Sequence, residues 1–146
     1  MVDISVLVVQ ADAEQRARTV RLLGQCCDPA RIAGVGGAGA AIDYLLARGD
    51  HADRAGARVP QFLLVDLPVA EGVRLLDAVR AEPRISGLPV IALLEPALRA
   101  EQDQWYGAGA NSVVGQTPDD DELRLKLQRL HDYWTTVNLA KRSSRI

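Results

Sequence analysis

The sequence predicts an α/β domain in which a parallel sheet lies between two layers of helices. Three short apolar runs, at residues 4–9, 62–65 and 90–94, are rich in β-branched side chains and are bounded by polar residues or proline. Uninterrupted apolar runs of this length are typical of strands that are buried on both faces. Segments with helical periodicity separate the runs, so strand and helix alternate along the chain, as they do in parallel sheets.

The remaining elements follow in the same order. Two weaker strands are predicted at residues 32–35 and 112–114, and a helix at about 97–108. Three further helices are predicted from apolar faces, whose residues are Ala13, Ala17, Val20 and Leu23; Ala41, Leu45 and Leu46; and Val73, Leu76 and Val79. The last helix is the clearest, because acids at residues 119–122 favour the helix dipole and an apolar stripe then runs to Val137. Five βα units predict a three-layer, flavodoxin-like fold with strand order 2-1-3-4-5.

Composition bounds the domain and its partners. The 146 residues, 48% of them hydrophobic, fit one domain, which we expect at residues 1–137, followed by a basic tail at 138–146. The net charge of −2 is dispersed and predicts neither nucleic acid nor an anionic membrane as a partner. The N-terminus has no basic n-region and no apolar run approaches ~20 residues, so we expect a cytoplasmic protein. Adjacent Cys26 and Cys27, with only two histidines, suit no metal cluster and predict small buried thiols.

The ends of the predicted strands indicate where chemistry would occur. In the predicted strand order, ligands bind above the carboxyl ends of strands 1 and 3. Asp66 ends strand 3, where a carboxylate on a rigid strand can meet a reacting group. We therefore take Asp66 as the centre of the candidate site.

Five stretches of the chain resemble response-regulator receiver domains, and they are VLVVQAD, AAIDYLLARGD, PQFLLVDLP, LPVIALLEP and GAGANSVVGQTP. The resemblance covers about residues 4–137. The second helix, the long loop after it and the segment LHDYW are similar to the single-domain regulators that partner with bacterial phytochromes. The resemblance implies a stand-alone protein of bacterial two-component or phosphorelay signalling that is not an enzyme. Its output would pass through a protein partner, such as a histidine kinase or another signalling protein.

The chain departs from that family around the aspartate. In the family, a phosphoacceptor aspartate takes a phosphoryl group from a histidine kinase, aided by Mg²⁺ that two acids hold after strand 1. Asp66 matches the phosphoacceptor, but Gln10 and Ala11 stand where the resemblance implies the two acids. Leu94 stands where it implies a hydroxyl residue, and Gln116 where it implies a lysine. Because Mg²⁺ requires several oxygen ligands, we expect no cofactor, and Mg²⁺ only if Asp66 is functional.

These departures predict a pseudo-receiver. Phosphoryl transfer depends on positioning the group and neutralising its charge, which the metal and the lysine would do. The loss of both should cost several kcal/mol, or roughly two to four orders of magnitude in rate. The preferred hypothesis is an atypical receiver that acts through protein–protein contacts rather than by acquiring phosphate.

Other interpretations of the acids stay open. Asp66 could be a genuine phosphoacceptor that a histidine kinase phosphorylates, a residue that caps its loop, or a remnant without a role. Asp12 could supply a metal ligand, although Asp12 followed three residues later by Gln15 is more typical of a helix cap.

A rival from another class is a small flavodoxin-like protein that binds a cofactor or a nucleotide. Gly34, Gly36 and Gly39 match G-x-G-x-x-G between a strand and a helix, a pattern that can hold a pyrophosphate at a helix N-terminus. The match follows strand 2, away from the predicted site, so a glycine-rich turn is the favoured interpretation.

Four of the six aromatic residues lie in or near the last two helices, and they are Trp105, Tyr106, Tyr133 and Trp134. Aromatic side chains often carry the energy of protein interfaces. We therefore predict a partner or homodimer contact at these residues. The alternative is that Trp134 covers the sheet together with Leu130, and the two interpretations are compatible.

Overall fold

Residues 2–139 are described by a computed structural model, and they contain one parallel sheet of five strands. The strands are β1 (Val6–Gln10), β2 (Ile32–Val35), β3 (Phe62–Asp66), β4 (Val90–Leu94) and β5 (Ser112–Gly115). Their order is β2-β1-β3-β4-β5, and every neighbouring pair is parallel. The predicted fold class and strand order are confirmed.

Five α-helices connect and flank the strands in the described part of the chain. They are α1 (Ala13–Leu23), α2 (Ala38–Leu46), α3 (Val69–Ala81), α4 (Gln102–Ala108) and α5 (Asp120–Asp132). A 3-10 segment at Pro96–Glu101 precedes α4, so the helix predicted at about 97–108 is α-helical only in its second half. A π-helical turn at Tyr133–Val137 continues α5. Asp12 and Asp119 cap α1 and α5, each accepting a hydrogen bond from the backbone N–H three residues later.

The sheet separates two apolar layers because side chains alternate between the faces of each strand. On one face, Leu7 and Leu63 pack in a cluster that also contains residues of α2, α3 and α4. On the other face, Val8 and Leu64 pack with Leu127 of α5 and with residues of α1. Since both faces are covered, the polar ends of the strands are the places where ligands can approach.

The polar connection after α2 is more ordered than its sequence predicts. A 3-10 segment occupies Gly49–Arg54, and Arg54 is buried at its end. The guanidinium lies 3.6 Å from the ring centroid of Tyr44 and donates hydrogen bonds to the carbonyls of Tyr44 and Arg58. This side chain therefore anchors the connection to α2.

Three further expectations have different outcomes. Cys26 and Cys27 are free and half-buried, so the prediction of buried thiols is only partly right. Burial raises the pKa of Cys27 to about 11.

Within residues 2–139, none of the helices is both long and apolar enough to span a bilayer. Residues 140–146, most of the predicted tail, lie outside the described part of the chain.

Candidate functional site

The strand register brings Gln10 and Asp66 together. The two residues pair across β1 and β3 at the carboxyl end of the sheet, and both side chains extend from the same face. The amide Nε2 of Gln10 donates a hydrogen bond to Oδ2 of Asp66 at 3.1 Å. Gln10 is fully buried, whereas Asp66 is half-buried. An amide donor thus occupies the space beside Asp66 where the family resemblance implies an acid.

The surroundings of Asp66 disfavour its charged form. Burial raises the pKa of Asp66 above its ordinary value, and the hydrogen bond from Gln10 opposes that rise. The neighbouring carboxylates of Glu95 and Asp12 raise the pKa further. The charged groups that shift this pKa are negative, whereas a dianionic phosphoryl group on Asp66 would need a positive charge beside it.

The turn between β1 and α1 is held by its own contacts. Oδ1 of Asp12 accepts a hydrogen bond from the backbone N–H of Gln15 at 2.9 Å, which confirms the predicted helix cap. Ala11 is exposed, and its N–H donates to the carbonyl of Asp66 at 3.3 Å. Asp12 is therefore committed to the helix terminus rather than directed to Asp66.

The other two substituted positions lie at the ends of β4 and β5. Leu94 is buried and supplies no polar atom. Gln116, also buried, donates from Nε2 to Oε1 of Gln15 at 3.1 Å and so binds α1 rather than Asp66. The sequence places Gln116 at this end of the sheet and shows Gln15 only as the partner of the Asp12 cap; it does not show that Gln15 and Glu95 also belong to the site. The available signal was that Gln15 lies in the first turn of α1 and that Glu95 directly follows β4.

The contacts of Asp66 and Asp12 disfavour a Mg²⁺ site around Asp66. Mg²⁺ takes octahedral oxygen ligands and is usually bound through one or two carboxylates and several waters. Asp66 faces a hydrogen-bond donor from Gln10, and Asp12 caps α1. Within residues 2–139, no group of three or more Asp, Glu, His or Cys side chains is placed to hold a metal ion.

The glycine-rich turn does not present a free helix N-terminus. Oε2 of Glu71, in α3, accepts a hydrogen bond from the backbone N–H of Ala38 at 2.9 Å, the position where a pyrophosphate oxygen would bind. Arg16 of α1 lies against the turn, with Nη1 at 3.2 Å from the position of a Cβ on Gly36. The structure therefore supports the interpretation of Gly34, Gly36 and Gly39 as a turn.

The four aromatic residues do not form one surface. Trp105 is fully buried in the cluster beneath α3 and α4, so its predicted role in an interface is wrong: its indole packs against Gly72 of α3. Tyr106 is 44% exposed, and its hydroxyl accepts a hydrogen bond from the N–H of Val113. Tyr133 is 47% exposed and packs edge-on against the half-buried Trp134, which contacts the α1–α5 layer.

Comparisons with known proteins agree with this fold. No protein-family model and no curated protein matches the sequence. The phosphorylated cyanobacterial phytochrome response regulator RcpA matches with a TM-score of 0.79 and 17% identity, over 95% of this chain and 99% of that chain. Response regulator RPA3017, in red light signalling of R. palustris, matches with a TM-score of 0.79 and 18% identity, over 94% and 99% of the two chains. The Mn²⁺-bound form of response regulator Rcp1 gives a TM-score of 0.74 at 17% identity, over 94% and 99%.

These likenesses show that the chain has the fold of response-regulator receiver domains. The resemblance seen in the five sequence stretches is thereby confirmed at the level of the fold. The shared fold extends over nearly the whole of this chain and of each of the three proteins.

Proposed function

We propose that the protein is an atypical response regulator of two-component or phosphorelay signalling that works as a pseudo-receiver. It binds a protein partner in the cytoplasm and catalyses no reaction. Phosphorylation of Asp66 is not required for this binding. The proposal takes its general class from the shared fold and its mode of action from the residues around Asp66.

The hydrogen bond from Gln10 to Asp66 carries the proposal. It gives Oδ2 of the carboxylate a neutral amide donor at 3.1 Å, at the place where the family resemblance implies an acid. Neither of the other two substituted strand ends supplies a cation, since Leu94 is apolar and Gln116 is a neutral amide that binds Gln15. Phosphoryl transfer depends on such cations, so we expect phosphorylation of Asp66 to be roughly two to four orders of magnitude slower than in a receiver that has the metal and the lysine.

The test is reaction with acetyl phosphate in the presence of Mg²⁺, followed by the intact mass of the protein. We expect no added phosphoryl group in the wild type or in Asp66→Asn under conditions that label a functional receiver. Beryllofluoride should likewise leave the tryptophan fluorescence unchanged. Labelling that is present in the wild type and lost in Asp66→Asn would refute the pseudo-receiver.

A gain-of-function variant controls for a reagent that fails to react. The combined substitutions Gln10→Asp, Ala11→Asp and Gln116→Lys restore two acids and a lysine at the strand ends. If the missing groups are what prevents the reaction, this variant should be labelled in a Mg²⁺-dependent way. Circular dichroism must first establish that it folds, because Gln10 and Gln116 are buried.

The second candidate function is slow but genuine phosphorylation of Asp66 by a histidine kinase. Asp66 favours it because the residue ends β3 and retains partial exposure, so a phosphodonor can reach it. A purified kinase that labels the wild type but not Asp66→Asn would establish this function.

The partner surface is the third part of the proposal. Tyr106 and Tyr133 are the exposed aromatic residues of the predicted set, and we assign the protein contact to them. A homodimer is one form of this contact. The homodimer is tested by comparing the sedimentation of the wild type with that of Tyr133→Ser. A dimer that is lost in the variant supports a contact through Tyr133, whereas an unchanged mass excludes Tyr133 from the contact.

A further inference from the structure

The two cysteines of the chain converge on one carbonyl oxygen. Both follow the C-terminus of α1, at the end of the sheet opposite Asp66. Sγ of Cys26 donates a hydrogen bond to the carbonyl of Leu23 at 3.3 Å, and Sγ of Cys27 donates to the same oxygen at 3.2 Å. A carbonyl oxygen has two lone pairs and can accept both bonds. The sum of the two distances, 6.5 Å, is the upper limit of the separation between the sulphurs.

Both thiols are accessible, and the turn restrains their positions. Cys26 and Cys27 are half-buried, so neither is enclosed in the core. Cys27 packs against the apolar cluster that contains Leu22 and Leu23, and Sγ of Cys26 also lies 3.7 Å from the carbonyl of Leu22. A reagent from solvent can therefore meet two thiols that the fold already holds near each other.

A direct bond between the two sulphurs does not suit this turn. Adjacent Cα atoms lie about 3.8 Å apart across the trans peptide that joins Cys26 to Cys27. Disulfides usually span Cα separations of about 4.4–6.8 Å. A single atom that is bonded to both sulphurs avoids this restriction, because it lets them stay further apart than a disulfide does.

The neighbouring side chains limit the bridging atom to one that needs only two protein ligands. Structural zinc takes four such ligands. Within residues 2–139, no third Cys, His, Asp or Glu side chain completes a metal-binding group with the pair. The adjacent carboxylate of Asp28 instead accepts a hydrogen bond from the N–H of Ala30 at 3.0 Å. The pair therefore fits a thiophilic centre that brings its own third group.

The local charges favour a centre that binds without creating a charge. Burial, the neighbouring thiol and the carboxylates of Asp28 and Asp132 raise the pKa of Cys27 to about 11. Burial and Asp132 also raise the pKa of Cys26, although Arg124 opposes that rise. Both thiols are thus protonated at neutral pH, and a bis-thiolate of a monovalent cation would place a net negative charge among these acids.

A trivalent metalloid oxide satisfies both conditions. Its oxygen leaves as water with the two thiol protons, so neutral reactants give a neutral adduct. Its pyramidal geometry keeps both sulphurs on one side of the centre, as they already are around the carbonyl of Leu23. A linear two-coordinate ion would instead separate the sulphurs.

We propose that Cys26 and Cys27 form a dithiol site for a trivalent metalloid of the arsenite class, which bridges the two sulphurs. In the reaction with an organic arsenoxide, each S–H bond is replaced by an S–As bond, and the arsenic-bound oxygen leaves with both protons as water. Arsenic stays trivalent and no electron is transferred. The site is independent of Asp66 and of the pseudo-receiver.

The probe is phenylarsine oxide, added to the folded protein in the presence of the monothiol 2-mercaptoethanol. We expect one phenylarsenic group per chain in the intact mass, two hydrogens fewer, and the loss of both titratable thiols. An excess of the monothiol should not remove the group, whereas the dithiol 2,3-dimercaptopropanesulfonate should. Attachment at two points should strengthen binding by about 10²-fold or more, because the second bond forms within the same molecule.

Cys26→Ser and Cys27→Ser are the matched variants. In each, a hydroxyl can keep the hydrogen bond to the carbonyl of Leu23, so we expect both to fold, as circular dichroism would verify. Each variant should bind the arsenical at least about 100-fold more weakly than the wild type and lose it to the monothiol.

Thermal unfolding distinguishes a site of the fold from an incidental reaction of two adjacent thiols. If the turn holds the thiols in place, the folded chain binds the arsenical more tightly than the unfolded chain does, and the Tm of the wild type rises. The Tm of the two serine variants should not change, and Zn²⁺ should not change the Tm of the wild type.

A Tm of the wild type that falls or stays the same with the arsenical would overturn the proposal. So would an adduct that forms only in urea, or equal retention of the arsenical by the wild type and a serine variant. A Tm that rises with Zn²⁺ would overturn the assignment of the site to a centre with two protein ligands.

Discussion

Gly72 of α3 is the position where a single methyl group should have the largest effect on the fold. A Cβ placed on Gly72 would lie 2.0 Å from Cη2 of Trp105 and 2.5 Å from Cζ3. Real Cβ atoms do not approach other heavy atoms so closely, and Trp105 has no exposed surface into which it could withdraw. Gly72→Ala therefore forces the indole of α4 to shift within a packed core.

The expected magnitude follows from two opposed effects. Alanine favours a helix over glycine by about 0.5–1 kcal/mol. Overpacking of a core costs about 1–3 kcal/mol. We expect Gly72→Ala to lower the free energy of unfolding by roughly 1–2 kcal/mol, which corresponds to a fall in Tm of about 2–8 °C for a domain of this size.

The assay is urea unfolding followed by far-UV circular dichroism and by tryptophan fluorescence. Gly107→Ala in α4 is the matched control, because no atom lies within 4 Å of its Cβ position, and it should be neutral or stabilising. Trp105→Phe removes the atoms that clash, so Gly72→Ala should cost less in that background. A Gly72→Ala protein that is stabilised as much as the control, or additive effects of Gly72→Ala and Trp105→Phe, would contradict the predicted clash.

Three further predictions concern single side chains. Glu71→Ala removes the acceptor for the N–H of Ala38 and should lower the free energy of unfolding, measured in urea, by about 1 kcal/mol. Glu71→Gln keeps an acceptor and should lose less. Equal stability of the wild type and the two variants would contradict the capping role. Burial holds the pKa of His131 below its ordinary 6.5, so the unfolded chain takes up a proton that the fold excludes, and stability should fall as pH drops below 6.5. His131→Gln should lack that part of the slope in unfolding measurements between pH 7.5 and 5. The pKa of Asp66 is raised above 3.8 in the folded protein, so the stability of the wild type should decrease as pH rises from 3.8 through the raised pKa. Asp66→Asn should therefore be more stable than the wild type at pH 7 but not near pH 3.8. A less stable Asp66→Asn at pH 7 would show that the carboxylate is favoured.

The fold could be predicted because its signals are local. The buried strands appear as uninterrupted apolar runs, and the caps at Asp12 and Asp119 follow from short-range spacing. The bounds of β2 and β4 agree with those predicted. The short length of α4 could not be predicted, because periodicity over one or two turns does not distinguish a 3-10 segment from an α-helix.

The site could be predicted only in part, because its contacts join distant segments. The sequence places Gln10 and Asp66 at strand ends, but the hydrogen bond between them depends on the register of β1 and β3. The burial of Trp105 depends on a glycine in another helix, which no pattern around residue 105 reveals. The same limit applies to Glu71, whose partner belongs to α2.

The contact between Glu71 and Ala38 has a mechanical consequence. Glu71 lies in the first turn of α3, shortly after Asp66, and its carboxylate holds the first turn of α2. Two neighbouring helices are thus coupled at the end of the sheet where the candidate site lies. A displacement of the chain after Asp66 must either carry the start of α2 with it or break this bond. Where the bond holds, motion that begins at the site reaches the β2 edge as a concerted movement of two helices; where it breaks, α3 moves alone.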